Sequence, residues 1–367
     1  MLKQVQHEKK APSHVGAFFM FEIQRYLRIF AKKKLISAES IFTISTQKQF
    51  EKIALKVFRF QYDNNSVYQE FCTLLKVKKE AVKSITQIPF LPIQFFKTHN
   101  VLSSKNPVQH IFTSSGTTGT ISSKHLVTDV SWYENSYLKG FSAFYGNLED
   151  YVILALLPSY LEREGSSLIY MVNDLIERSN NPESGFYLNN LSELLAKIKK
   201  LATEEKNIIL IGVTYALLDL IDYAQAMSFN LSKYGNSLLI METGGMKGRR
   251  KELIREELHQ ILTHGFGVET IHSEYGMTEL LSQAYSLGNG IFECPPWMQT
   301  LIRDTEDPLT YLPYGKTGGI NVIDLANINS CSFIATQDLG KKHPNGTFEV
   351  LGRFDHSDIR GCNLMVL

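Results

Sequence analysis

The segment from Thr113 to Gly119 has the composition of a loop that binds phosphate. Every residue in it carries a hydroxyl or is a glycine, in the order Thr113, Ser114, Ser115, Gly116, Thr117, Thr118, Gly119. Glycines let backbone amides turn toward an anion, because they adopt positive φ at little cost, and the hydroxyls add uncharged donors. It is not a Walker-type loop, since no Lys-Ser or Lys-Thr pair follows the glycines at the required spacing. Alone, the segment indicates either a phosphate loop or an ordinary polar turn.

Four further polar clusters lie downstream of this loop. They are Thr243-Gly244-Gly245, Ser273–Glu279, Thr336–Gly340, and Gly352–Asp355 with the nearby Ile359-Arg360-Gly361. The glycines of the first cluster admit a flat ring close to the backbone. Three of the clusters follow predicted strands, and open α/β sheets bind ligands at the carboxyl ends of their strands. We therefore expect a ligand site at that edge of a sheet.

Alternating strands and helices are predicted from residue 150 onward. Apolar runs indicate strands at 151–157, 208–212, 238–241 and 268–272, and helical spacing indicates helices at 166–178, 191–206, 213–227 and 249–263. Such alternation predicts an α/β fold, with a mostly parallel sheet covered by helices on both faces. Residues 36–86 have helical spacing, and the chain from Gly315 is richer in short strands, with a hairpin at Asn345-Gly346.

Composition excludes several classes of function. The 367 residues carry a formal net charge of +1, which gives no general attraction for nucleic acid. The four cysteines have no metal-ligand spacing, and this favours a reducing compartment without structural zinc. No apolar run is long enough to span a membrane. An apolar stretch before Glu22 lacks a cleavage site, so we expect a cytoplasmic protein with an N-terminal appendage at residues 1–35.

In their order, these clusters resemble those of the adenylate-forming superfamily, which includes acyl-CoA synthetases, peptide-synthetase adenylation domains and luciferases. Ser114–Gly119 is similar to its Thr-Ser-Gly-Thr-Thr-Gly signature with Ser for the leading Thr, and Tyr275–Glu279 matches Tyr-Gly-x-Thr-Glu intact. Residues 157–163, 242–250 and 360–362 extend the resemblance to the LuxE-type acyl-protein synthetases, which charge a protein with a fatty acyl group. The resemblance covers the chain from about residue 36.

The resemblance implies an AMP-forming ligase that uses ATP and Mg²⁺ to activate a fatty acid. The segment Thr113–Gly119, called the Ser/Thr/Gly loop below, would hold pyrophosphate. Gly244 and Gly245 would lie beside the nucleotide. The implied roles of the remaining residues are a donor to the α-phosphate for Thr278, adenine stacking for Tyr275, a ribose contact for Asp338, a ribose or phosphate contact for Arg353, and magnesium binding for Glu279. Each has a plainer alternative: Tyr275 as a core aromatic, Asp338 as a turn cap, Glu279 at a helix start.

The sequence departs from the superfamily pattern at its C-terminus. Typical members continue past the Gly-Arg-x-Asp segment into a lid domain that supplies a catalytic lysine, whereas this sequence ends at Leu367. Lys247 is a candidate substitute, or only part of a basic helix start. The resemblance implies that Cys362 accepts the acyl group as a thioester; the alternative is a buried, inert cysteine.

These expectations divide the chain into five parts. They are the appendage, a helical N-terminal segment (36–100), an α/β adenylation core (101–310), a β-rich region (311–361) and a tail with the acceptor cysteine (362–367), without the usual lid. The expected partner is an acyl reductase or an acyl carrier. Two other functions stay open: a ligase that loads coenzyme A or a carrier protein, and a nucleotide-binding scaffold without turnover.

Overall fold

A computed structural model describes residues 36–114, 121–159, 165–244, 250 and 253–353. Eight predicted site residues lie outside the described residues: Ser115, Gly116, Thr117, Thr118, Gly119, Gly245, Lys247 and Cys362. The predicted appendage and C-terminal tail also lie outside them.

The α-helices of the described residues are α1 (Ala38–Phe42), α2 (Gln47–Asn64), α3 (Ser66–Leu74), α4 (Phe95–Thr98), α5 (Ser131–Tyr145), α6 (Ser167–Arg178), α7 (Leu191–Thr203), α8 (Thr214–Ala226) and α9 (Arg255–Phe266). The strands are β1 (Leu91–Pro92), β2 (His110–Thr113), β3 (Lys124–Val127), β4 (Tyr151–Leu156), β5 (Gly185–Phe186), β6 (Asn207–Val213), β7 (Leu238–Thr243), β8 (His272–Tyr275), β9 (Ala284–Ser286), β10 (Ile291–Glu293), β11 (Met298–Arg303), β12 (Thr317–Asp324), β13 (Phe333–Lys342) and β14 (Phe348–Arg353).

Twelve of the described strands form one sheet, in the order β11-β12-β13-β14-β10-β9-β8-β7-β6-β4-β5, with β1 beside β13. Strands β5, β4, β6, β7 and β8 pair in parallel. From β8 to β11 each neighbouring pair is antiparallel. Strands β2 and β3 form a separate antiparallel hairpin. The sheet is therefore mixed, with a parallel half and an antiparallel half that meet at β8.

Helices cover both faces of the parallel half. On one face α5 and α6 pack over β4, β6 and β7, where Phe141 and Met171 meet Ile209 and Ile211. On the other face α8 lies against β6, where a Cβ at Gly212 would lie 2.9 Å from Leu156 Cβ and 3.1 Å from Leu217 Cγ, so a side chain at this position would require a shift. After their first residues, Tyr151 and Asn207, strands β4 and β6 are apolar and buried, because both faces are covered. This arrangement confirms the predicted α/β fold.

The predicted bounds of the helix at 249–263 and of the strand at 268–272 are wrong. Helix α9 begins at Arg255 instead of 249, because Ile254 has an extended backbone (ψ 150°). It ends at Gly267 in the left-handed conformation (φ +67°), and the amides of Gly267 and Val268 both donate to the Thr263 carbonyl. Residues 268–271 then connect the helix to the sheet, so β8 begins only at His272. The turn predicted at Asn345-Gly346 is confirmed between β13 and β14.

No helix in the described ranges is both long and apolar enough to cross a membrane.

Candidate active site

The β2–β3 hairpin holds the two ends of the Ser/Thr/Gly loop together. Its last ladder pair joins Thr113 to Lys124. Beyond it, the Ser114 amide donates to the Ser123 carbonyl (3.1 Å), and the Ser123 amide donates to the Ser114 hydroxyl (2.9 Å). The Thr113 amide donates to the carbonyl of Gly165 (2.7 Å), where an added Cβ would lie 2.8 Å from the Thr113 hydroxyl. The base of the loop is thus fixed at Thr113, Ser114 and Ser123.

Glu279 lies at this base. Its side chain is buried, with 5% of its surface exposed. Burial raises the pKa of its carboxyl, while a hydrogen bond from Ser123 and the charge of Arg353 lower it. Asp338 is also close enough for its charge to raise that pKa. The structure therefore brings the predicted magnesium ligand, the base of the loop and the Asp338–Arg353 pair into one region.

Two buried side chains hold the backbone of Thr278 and Glu279. His125 Nδ1 lies 2.8 Å from the Thr278 carbonyl, and the Asn327 amide donates to the Glu279 carbonyl (2.8 Å). His125 Nε2 also lies 3.0 Å from Asn327 Oδ1. Burial lowers the pKa of His125 to about 4, although the contacts with Thr278 and Asn327 raise it. The imidazole is therefore neutral at neutral pH. Because His125 lies on β3, its contact with the Thr278 carbonyl connects the β2–β3 hairpin to the Thr278–Glu279 segment.

Asp324 holds the residues that follow. Its fully buried carboxylate accepts from the amides of Leu281 (2.7 Å) and Ser282 (3.0 Å) and from the Ser282 hydroxyl (2.6 Å). Burial raises the pKa of this carboxyl, and the hydrogen bonds oppose that shift. The turn after Glu279 is therefore anchored through a carboxylate on β12, which limits its freedom to move.

Tyr275, Asp338 and Arg353 form a connected set across three strands. The Tyr275 hydroxyl donates to Asp338 Oδ2 (2.8 Å), and Arg353 Nε lies 3.6 Å from Asp338 Oδ1. Burial raises the pKa of Asp338, while Arg353 and the Tyr275 hydroxyl lower it. The Tyr275 ring packs as a core aromatic against Phe292 and Phe348, and the Arg353 side chain is 67% exposed. Adenine stacking by Tyr275 stays a prediction.

The end of β7 is fixed around Gly244. This glycine has φ +69°, a backbone that side-chain-bearing residues avoid, and its carbonyl accepts from the Thr214 hydroxyl (2.6 Å). On the far side of residues 245–249, Arg250 pairs with Asp219 and Asp222 of α8, the latter at 2.6 Å. Gly244 and Arg250, the described residues before and after positions 245–249, are thus both held by side chains of α8.

The three described cysteines are poor nucleophiles. Burial raises the pKa of each thiol to about 12, so almost no thiolate exists at neutral pH. They are Cys72, Cys294 and Cys331.

Sequence reasoning missed the side chains that support the site. Ser123 directly precedes β3 and His125 lies within it. Their spacing of two residues is a signal that could have placed both side chains on one face of the hairpin. Asn327 and Asp324 contact residues more than forty positions away, and their sequence context carries no signal of those contacts.

The model of the acyl-protein synthetase LuxE family matches residues 32–133 and 170–367 of this chain. The chain belongs to this family. It is therefore an enzyme of the ligase class, and the resemblance seen in the loop and in Tyr275–Glu279 is confirmed at the level of the family.

A long-chain-fatty-acid–luciferin-component ligase from Vibrio harveyi is 25% identical to this LuxE-family chain in an alignment 352 residues long that covers 88% of each of the two chains. A protein of the same description from Photorhabdus luminescens is 35% identical over 74 residues, covering 20% of this chain and 63% of its own.

Solved structures of adenylate-forming enzymes share the fold of this LuxE-family chain. A 2-hydroxyisobutyryl-CoA ligase with its acyl-adenylate has a TM-score of 0.61 at 13% identity, covering 84% of this chain and 68% of its own. ATP-bound MatB from Rhodopseudomonas palustris has a TM-score of 0.51 at 18% identity over 68% of this chain. The chain spans about half (49%) of the MatB chain.

Proposed function

We propose that this LuxE-family ligase is an ATP-dependent acyl-protein synthetase that activates a fatty acid and passes the acyl group to a thiol. One observation carries the proposal: Ser123, which binds Ser114 at the base of the Ser/Thr/Gly loop, lies close enough to the buried Glu279 carboxyl to lower its pKa, and the charges of Asp338 and Arg353 act on the same carboxyl. A nucleoside triphosphate is bound by donors for its phosphates, a carboxylate that holds its Mg²⁺ ion and a guanidinium that neutralises charge. The loop, Glu279 and Arg353 could supply these groups. The names of the relatives support a fatty acid as the substrate.

In the first step, a carboxylate oxygen of the acid attacks the α-phosphorus of ATP. The bond from that phosphorus to the bridging oxygen breaks, and pyrophosphate leaves with the electron pair. Backbone amides and hydroxyls at the loop would receive the pyrophosphate charge, and Thr278 would donate to the α-phosphate. Asp338 would accept from the ribose, and Arg353 would contact ribose or phosphate.

The residues present fit a magnesium ion that the nucleotide itself largely coordinates. The described part of the chain contains no group of three or more His, Cys, Asp or Glu placed to hold a metal. Mg²⁺ in nucleotide sites uses one or two carboxylates together with phosphate oxygens and water. Glu279 would supply that carboxylate, and the bound ion would neutralise charge on the phosphates.

In the second step, a thiolate attacks the acyl carbonyl carbon and AMP leaves. Cys362 is our candidate acceptor. It lies nine residues after Arg353, and an extended chain spans about 3.5 Å per residue, so the sulfur is tethered within roughly 30 Å of that arginine. We further propose that Lys247 supplies positive charge at the reacting phosphate and that an acyl reductase receives the acyl group.

Pyrophosphate exchange and thioester trapping test the proposal. The protein is incubated with labelled fatty acid and MgATP, and we expect acid-dependent ATP–pyrophosphate exchange and protein label that hydroxylamine removes. A Cys362→Ser variant should keep exchange and lose the label. Label that survives this change would contradict the assignment of Cys362. Turnover only with coenzyme A would indicate the coenzyme A ligase instead, and no exchange with any acid would favour a scaffold.

A further inference from the structure

A row of side chains crosses the sheet at the carboxyl end of its parallel half. Thr243 on β7 pairs with Glu274 on β8, and Glu274 pairs with Tyr285 on β9. Paired residues of neighbouring strands point to the same face, which here is the face covered by α5. Glu274 therefore places a carboxyl between a hydroxyl and an aromatic ring.

The rest of this face is apolar. Below the row, an enclosed apolar cavity lies between the sheet and helices α5 and α6. Its walls include Phe141, Met171, Leu175, Ile211, Met241 and Tyr285. Since Tyr285 lines the cavity and pairs with Glu274, the carboxyl lies at the border between an apolar face and the nucleotide-side edge of the sheet. The cavity is too small to hold an acyl chain, so the border offers a place for an acidic head group only.

One oxygen of Glu274 has its partner and the other faces the Tyr275–Glu279 segment. The Thr243 hydroxyl donates to Oε2 (2.6 Å). A Cβ at Gly276 would overlap Oε1, so glycine leaves that oxygen open toward the segment. The side chain is partly accessible. This carboxyl oxygen lies next to Gly276, two residues before Thr278, and is placed to meet the head group of the acid.

The groups that face Glu274 destabilise its ionised form and so raise its pKa. Burial and the nearby Glu242 carboxylate raise the pKa of Glu274 to about 7, and only the Thr243 hydroxyl lowers it. Helix α5 contributes Tyr133 and Tyr145 and β9 contributes Tyr285, whose pKa values burial and the Glu274 charge raise, so they are neutral. On the same strand, burial lowers the pKa of His272. The guanidinium of Arg255 pairs with the Glu242 carboxylate (2.7 Å).

We propose that Glu274 binds the carboxylate of the acid substrate in its protonated form, donating a hydrogen bond from Oε1, so that the acid binds together with a proton. The inference rests on the proposed function. When Glu274 is ionised, it repels the substrate carboxylate and offers no donor. Acid binding should weaken as the pH rises through neutrality, while ATP binding should not follow that titration.

The test measures the KM for octanoate in ATP–pyrophosphate exchange between pH 6 and 8, at saturating MgATP. Octanoate is soluble, and its carboxyl ionises well below this range. In the wild type we expect the KM to rise about tenfold from pH 6 to 8, as for a single group titrating near neutrality. In Glu274→Gln, whose amide donates at every pH, the KM should be flat. Glu293→Gln, an exposed carboxyl on β10, is the matched control and should keep the rise.

Two further measurements separate the outcomes. In Thr243→Val the rise should move to higher pH, because the stabilising donor is lost. Calorimetry of octanoate binding near pH 7.5, in two buffers of different ionisation enthalpy, should show proton uptake by the wild type and none by Glu274→Gln. The inference about Glu274 would be overturned, and the proposed function kept, by either of two results. One is active exchange with a wild-type KM that does not change with pH, and the other is the same rise of the KM in Glu274→Gln. Absence of exchange with every acid would contradict the proposed function instead.

Discussion

The Ser123 amide donates to the Ser114 hydroxyl (2.9 Å), and the Ser123 side chain lies close enough to Glu279 to lower the pKa of its carboxyl. A single residue thus joins one end of the Ser/Thr/Gly loop, the other end, and the carboxyl proposed to bind magnesium. A shift of the loop base would change the hydrogen bonding of Glu279. Loop position and metal affinity are therefore expected to be coupled.

Ser123→Ala removes a hydrogen bond from Glu279 and leaves its carboxyl harder to ionise. We therefore expect the variant to need about tenfold more Mg²⁺ for half-maximal pyrophosphate exchange, the effect of a shift of about one pKa unit in the ligand. A magnesium titration at fixed ATP measures the effect. Ser122→Ala, the neighbouring hydroxyl, is the control and should match the wild type. Equal magnesium dependence in all three proteins would disprove the coupling.

Asp338→Asn removes the charge beside Arg353 and keeps an oxygen that accepts from Tyr275. The fold should therefore hold, while the KM for ATP rises about tenfold through the lost ribose acceptor, a cost of about 1.4 kcal/mol. Exchange kinetics and a thermal melt measure the two effects. Asp150→Asn, an exposed carboxyl far along the chain, should change neither. A melting temperature that falls with an unchanged KM would assign Asp338 a purely structural part.

His125→Gln should reduce the acid sensitivity of the fold. Burial holds the pKa of His125 at about 4 in the native state, whereas an unfolded histidine titrates near 6.5. Its contribution is complete above pH 6.5 and is lost as the pH falls toward 4, which amounts to about 2 kcal/mol between pH 7 and 5. Urea unfolding at these two pH values should show that loss in the wild type and a smaller one in the variant. Identical losses would mean that His125 titrates normally.

Cysteine variants should differ sharply in acyl labelling. Cys294→Ala should keep the hydroxylamine-labile label, because burial raises the pKa of that thiol to about 12 and keeps it protonated. Cys362→Ser should lose the label. Gel autoradiography before and after hydroxylamine distinguishes the two. Loss of label in Cys294→Ala with intact folding would move the acceptor to that residue.

The family and the α/β fold follow from the sequence because short motifs and apolar runs are local signals. The Tyr275–Glu279 motif and the buried strands β4, β6 and β7 are read directly from neighbouring residues. The supports of the site are not local. Asn327 reaches Glu279 across the sheet, and the late start of β8 depends on how α9 ends at Gly267. Such contacts depend on tertiary packing, which a single sequence pattern does not encode.

The place of β14 in the sheet has a consequence for the order of folding. This last described strand lies between β13 and β10 inside the antiparallel half, and it connects β11, β12 and β13 to the rest of the sheet. Until it is synthesised, β13 and β10 have unpaired edges, and such edges recruit strands from other chains. A nascent or truncated chain that ends before Phe348 should thus aggregate, and this part of the sheet should close only after β14 has been synthesised.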